Sequence, residues 1–65
     1  MITIDSINRF NNSLTIMALS VDPKPIEEIE YQGVTYKIRN GSVFYEQDTS
    51  TVFMYDEENQ LWLEQ

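Results

Sequence analysis

From Val34 to Leu63 the sequence alternates between two sets of side chains with a period of two, interrupted at short polar clusters. That period belongs to a strand whose two faces meet different surroundings. Within "VTYKIRNGSVFYEQ" two alternating runs flank Asn40-Gly41. Asn-Gly is a strong hairpin signal, because both central residues of a type I′ turn need positive φ. A two-residue turn there sets Ile38 opposite Val43, Lys37 opposite Phe44 and Tyr36 opposite Tyr45. It also places Lys37 diagonal to Glu46, within reach of a weak exposed ion pair. In the next reversal, Asp48 can bond nearby backbone as an Asx turn. A tight loop at Thr49-Ser50 sets Tyr45 opposite Met54 and Phe44 opposite Tyr55. Asn59 is the residue of "DEENQ" that best tolerates a left-handed backbone. The last strand, Leu61 to Glu64, then places Trp62 beside Tyr55 and Leu63 beside Met54. The expected fold class is all-β, a small antiparallel meander of hairpins.

Side chains opposite one another share a face. Val34, Tyr36, Ile38, Val43, Tyr45, Val52, Met54 and Leu63 therefore line one side of the expected sheet. Phe44, Phe53, Tyr55 and Trp62 line the other. A free antiparallel sheet has one dry and one wet face, yet here both are apolar. Something must cover the second. Either the N-terminal segment folds over the aromatic residues, or they meet another subunit, as Trp, Tyr and Phe do at interface centres. For so small a chain the interface is the favoured reading, with Phe44, Phe53, Tyr55 and Trp62 as its residues.

The N-terminal part reads two ways. Ile7, Phe10, Leu14, Met17 and Val21 fall at helical spacing, with Asp5 or Ser6 as an N-cap. Against this, "SLTIMALSV" alternates, and "NNS" weakens a helix in its middle. An extended segment from about Leu14 to Val21 is favoured, ended by "DPKP", where proline removes amide donors. A second and weaker hairpin signal lies at Gln32-Gly33. Residues 1–18 are expected to be an arm or covering segment, and residues 19–65 the β-meander module.

Sixty-five residues make a single domain with a marginal core, since such a chain buries only about 60% of its unfolded surface. There is no cysteine and no histidine, which removes disulfides and most zinc, iron and copper sites. Association is then the expected source of extra stability. The 42% hydrophobic fraction is too high for a disordered chain. A net charge of −7, from eleven acidic and four basic residues, repels phosphate backbones, so no nucleic acid is expected as a partner. No apolar run approaches the ~20 residues of a membrane span, and no signal peptide is expected. The usual acid–base and nucleophile constellations need side chains this sequence lacks. Two carboxylate clusters remain, Glu27-Glu28-Glu30 and Asp56-Glu57-Glu58. Catalysis by them would need a cleft that splits their pKa values, and "YDEENQ" lacks the spacing and glycine of a calcium loop. The expectation is a protein that is not an enzyme, with no catalytic residues, metal or cofactor.

"LSVDPKP" followed by "GSVFYEQDTSTVFMYDEENQLWLEQ" resembles small β-rich virion-associated modules of tailed bacteriophages, found alone or within head-fibre and tail-fibre proteins. The resemblance rests on Leu19, Ser20, Asp22, Lys24 and Pro25; on Gly41, Ser42, Phe44, Tyr45, Glu46, Asp48 and Thr49; and on Tyr55, Asp56 and Trp62. It covers residues 19–65. Val21, the long gap from Ile26 to Asn40, and Glu57 after Asp56 depart from the family's pattern. The resemblance implies a structural or adaptor protein of the virion, in capsid decoration, head fibre or tail. Its partners would be copies of itself or other virion proteins of capsid or tail. The alternative is an acidic inhibitor of a host nucleic-acid-binding or defence protein, in which the two carboxylate clusters form one patch and the aromatic residues are core.

Overall fold

The computed structural model describes all 65 residues, and the chain folds without helix, as strands, turns and irregular connections. The strands are β1 (Thr3–Ile7), β2 (Leu14–Ala18), β3 (Glu28–Tyr31), β4 (Val34–Lys37), β5 (Val43–Glu46), β6 (Thr51–Asp56) and β7 (Leu61–Glu64). Five of them make one sheet in the order β1-β2-β5-β6-β7, and β3 and β4 form a separate hairpin. The all-β class is as expected. The meander is interrupted at one place, where β2 and β5 lie side by side and parallel.

That parallel pair shapes the rest of the molecule. Parallel neighbours cannot be joined by a tight turn and need a long crossover. Here the crossover is residues 19–42, which contain a strap of irregular chain and the β3–β4 hairpin. It lies against one face of the five-stranded sheet. Ile29 and Ile38 from the crossover share a core with Leu14, Ile16 and Ala18 of β2, Phe44 of β5 and Tyr55 of β6. Ile2, Ile4, Tyr36, Phe53 and Trp62 pack around that core.

The two glycine turns exchange the roles expected of them. Gln32 and Gly33 both have positive φ, at 51° and 79°, and join β3 to β4 with Tyr31 opposite Val34. This is the two-residue I′ geometry that matches the twist of the flanking strands. At Asn40-Gly41 only Gly41 is left-handed, with φ 85°, and the Ser42 amide donates to the Arg39 carbonyl at 3.1 Å. One left-handed residue at the third position makes a type II turn. It carries the chain from the crossover layer into the sheet and forms no hairpin. Lys37 accordingly stands opposite Glu28, and Glu46 has a different partner.

Register follows the expectation in the β6–β7 hairpin and differs from it by two residues in β5–β6. Tyr55 faces Trp62 and Met54 faces Leu63, as read from the chain. In the β5–β6 hairpin the loop is four residues, so Phe44 faces Phe53 and Tyr45 faces Val52. A shift of two residues leaves every side chain on its expected face. Ser50 and Gln60, with φ of 57° and 55°, take the left-handed positions of the last two reversals, and Asn59 does not.

The N-terminal eighteen residues are neither an arm nor a cover. They supply β1 and β2, with Leu14, Ile16 and Ala18 almost wholly buried. The strand reading of the Leu14 region holds, since alternate residues of β2 point into the core. One core joins residues 1–18 to the remainder, and no boundary falls at Leu19.

A candidate docking surface

The four aromatic residues picked out in the sequence do share a face, and it is the one under the crossover. Phe44 is completely buried and Tyr55 nearly so, while Phe53 and Trp62 are half-buried. The Trp62 ring meets Phe44 edge-on, with centroids 5.6 Å apart, and Tyr55 at 4.8 Å and a 54° tilt. These edge and tilted arrangements set the positive rim of one ring against the negative face of another. The polar atoms of the cluster are satisfied by the strap. Trp62 Nε1 donates to the Pro25 carbonyl at 2.8 Å, and the Glu27 amide donates to Tyr55 Oη at 3.1 Å. Glu27 holds φ at 68° to make that bond, a left-handed backbone on a residue with a side chain. Phe44 and Tyr55 are therefore used up inside the chain, and the cover is the crossover where an N-terminal segment or a second subunit was expected.

Charged groups fasten the strap. Lys24 Nζ lies 4.2 Å from the Phe53 ring centroid and 5.0 Å from that of Phe44, and it donates to Glu46 Oε2 at 2.7 Å. Glu46 is buried, and its other oxygen accepts from the Thr49 hydroxyl at 2.9 Å. The Lys24 ammonium and then the Thr49 hydroxyl hold the Glu46 carboxyl below its usual range. Asp48 accepts from both the hydroxyl and the amide of Ser20, at 2.6 and 2.9 Å, and those bonds depress its pKa. Beyond the local bonding expected of it, Asp48 clips the strap to the β5–β6 loop. Asp22 is lowered in the same way by the N-terminal amine and the Leu19 amide. "LSVDPKP" and Glu46–Asp48 are the two halves of one fastening, although 20 or more residues separate each bonded pair.

The opposite face of the sheet has no cover. Cα partners place Thr3, Met17, Tyr45 and Val52 in one row, and Thr15, Val43, Met54 and Leu63 in the next, with Leu61 beside Asp56 at one end. None of these apolar side chains belongs to the core or packs against it. Met54, Leu61 and Leu63 are 38%, 46% and 47% exposed. Met17, Val43, Tyr45 and Val52 are half-buried and lie outside the core. In a chain with fifteen charged residues, eleven acidic and four basic, both inner rows of this face carry none. Sequence reading correctly groups Val43, Tyr45, Val52, Met54 and Leu63 on one face and the aromatic residues on the other, but it assigns the open face to the aromatic residues. It also groups Val34, Tyr36 and Ile38 with the outer face. Val34 and Tyr36 instead belong to the separate hairpin, Ile38 joins the core beneath the crossover and Tyr36 packs against it, because Asn40-Gly41 forms no hairpin with β5. The period-two pattern gives face membership; which face is open depends on the crossover.

The carboxylate clusters partly converge. Glu27, Glu28 and Glu57 line one cleft of about 340 Å³ with Lys37, Ile38, Tyr55 and Gln60. Gln60 Nε2 donates to Glu27 Oε1 at 2.9 Å, and Arg39 reaches Glu57 at 3.3 Å. Asn40 and Glu57 exchange bonds through side chain and backbone, at 3.1 and 2.7 Å. Asp56 is turned to its own loop, where the Asn59 side chain lowers its pKa. Glu30 does not line the cleft. No group of three or more His, Cys, Asp or Glu side chains is arranged to hold a metal ion, and no buried side-chain polar atom lacks a partner. No family model, curated protein or solved structure matches the chain.

Proposed function

We propose that this protein is a non-enzymatic structural or adaptor component of a larger assembly, and that it docks through the outer face of its five-stranded sheet. The observation that carries the reading is the uncharged, apolar and uncovered surface formed by Met17, Val43, Tyr45, Val52, Met54 and Leu63. Burying such a surface contributes about 25 cal/mol per Å², and leaving it in water favours association. The setting we propose is a phage particle, because residues 19–65 resemble virion modules. High local copy number there would stabilise a small domain by mass action. The test is mass spectrometry of phage particles purified from the source. The protein should be recovered with the particles at a fixed ratio to the major shell or tail protein, and recovery only in the unassembled fraction would sink the virion reading.

The inhibitor reading is favoured by one observation, the convergence of Glu27, Glu28 and Glu57 on one cleft. It predicts a complex with a basic host protein that weakens steeply with salt. Lys37 and Arg39 sit among those carboxylates and reduce the patch's charge, so the docking reading stands first.

A further inference from the structure

We propose that the occupant of the open sheet face is a second copy of this chain, packed face to face as a two-layer sandwich of sheets. This rests on the docking reading above and names its partner. Five strands at about 4.8 Å spacing and about 3.3 Å per residue give a face roughly 24 Å by 17 Å. With side-chain relief, that is on the order of 500 Å² per copy, or about 1,000 Å² in the pair, the lower bound for a specific interface. The face thus suffices for a self-association that is real and weak.

Charge selects the occupant. A basic partner would be drawn to carboxylates, and the inner rows of this face have none. A second copy needs an uncharged patch, because each chain carries −7 and would repel its twin if acids faced one another. Here the acids lie at the ends, in loops and on the crossover side, apart from Asp5 at the bulge of the edge strand β1, away from the centre of the face. Asp56 lies at one end, Asp48 and Glu57 sit in loops, and Glu27, Glu28 and Glu30 belong to the crossover. Side-chain sizes also suit interdigitation: long Met17, Tyr45, Met54 and Leu63 are interspersed with short Thr15, Val43 and Val52. Packed sheets of this kind lie about 10 Å apart with strands within about 30° of alignment. Val43 and Tyr45 are on β5, the middle strand, so a two-fold axis through the centre of the face brings this region against its own copy.

The experiment is sedimentation equilibrium of the full chain, from about 1 µM to 1 mM, at low and high salt. Wild type should pass from monomer to dimer and stop there, with a dissociation constant in the range of about 10 µM to 1 mM. Salt should tighten the dimer by screening the −7 charges. Val43→Glu and Val43→Lys should each weaken it about 100-fold or more, as a buried unpaired charge requires. Circular dichroism should show both variants folded. Mixing the two should restore a heterodimer, which a partner other than a second copy would not produce. A wild-type monomer at every concentration overturns the second-copy proposal, as does undiminished dimerisation of Val43→Glu. If the chain is monomeric but Val43→Glu is lost from particles, the second copy falls and the docking reading stands. If Val43→Glu still enters particles and the wild type is monomeric, both fall.

Discussion

The two faces of the five-stranded sheet have similar hydrophobicity and opposite fates. One carries Phe44, Phe53, Tyr55 and Trp62 and lies beneath the 19–42 crossover, with its indole and phenol bonded to that crossover's backbone. The other carries Met17, Val43, Tyr45, Val52, Met54 and Leu63, none of which joins the core. Apolar character alone therefore does not say which side of a small sheet is core. The strand order says it, because inserting β2 parallel to β5 forces a long connection over one side and leaves the other bare.

The contrast is broken most severely at Phe44. Phe44→Ala empties the centre of the covered face, at about 3–5 kcal/mol for such a truncation. A 65-residue domain has about 3–10 kcal/mol in total. The variant should lose about a third or more of its stability, read as a sharply lowered urea midpoint or, at the low end of that range, an unfolded spectrum at 25 °C. An unchanged urea midpoint would show that the face is not the core.

Next comes the fastening of the cover. Lys24→Met keeps the stem over Phe53 and Phe44 but leaves the Glu46 carboxylate without its cation. The urea midpoint should drop at pH 7 and recover part of the difference in acid, once the unpaired Glu46 carboxylate of the variant takes up a proton. A loss equal at both pH values would mean that the ion pair contributes nothing.

Acid should act on the wild type through the same contacts. Asp22, Glu46, Asp48 and Asp56 all have pKa values depressed in the folded state. Their contributions are present above the unfolded carboxylate range, about pH 4, and are lost as pH falls through the lower folded values. Urea midpoints should hold from pH 7 to about 5 and decline below about 4. Glu46→Gln should flatten that decline, and an equally steep one would remove Glu46 from the account.

A smaller effect belongs to Trp62→Phe, which retains a ring against Tyr55 and Phe44 but cannot donate to the Pro25 carbonyl. The expected loss is about 1 kcal/mol, read from urea unfolding followed by circular dichroism. The smallest lies on the open face. Leu63→Glu at micromolar concentration should change stability by no more than about 0.5 kcal/mol, although it removes a residue as apolar as those in the core. A loss like that of Phe44→Ala would show that the outer face is covered after all.

Much of this was legible in the chain. The alternation in Leu14–Ala18, Val43–Glu46 and Thr51–Asp56 marked the strands. The β6–β7 register followed from a short loop and two matched aromatic residues. Gln32-Gly33 carries the weaker hairpin signal and is the one that forms. Asn40 has the better turn chemistry, yet its amide is engaged with Glu57, and Gly41 alone turns left-handed. Turn propensity is local, whereas the choice between β4 and β2 as a neighbour for β5 is not. Asp48 shows the same limit, since its residue type suggested a local turn and its carboxylate bonds Ser20, 28 residues away.

The sequence by itself determined that this protein is built of short strands, which side chains of β5, β6 and β7 share a face, and that both faces of its sheet are apolar. It also determined that neither disulfides nor histidine-bound metals could reinforce the fold. Only the tertiary structure decided that β2 lies parallel beside β5, that residues 19–42 close over the aromatic residues, and that the opposite face is the one left open. The physical reason is that periodicity records how each residue sits relative to its own strand. Strand order instead arises from contacts between residues far apart in the chain, which no local pattern encodes.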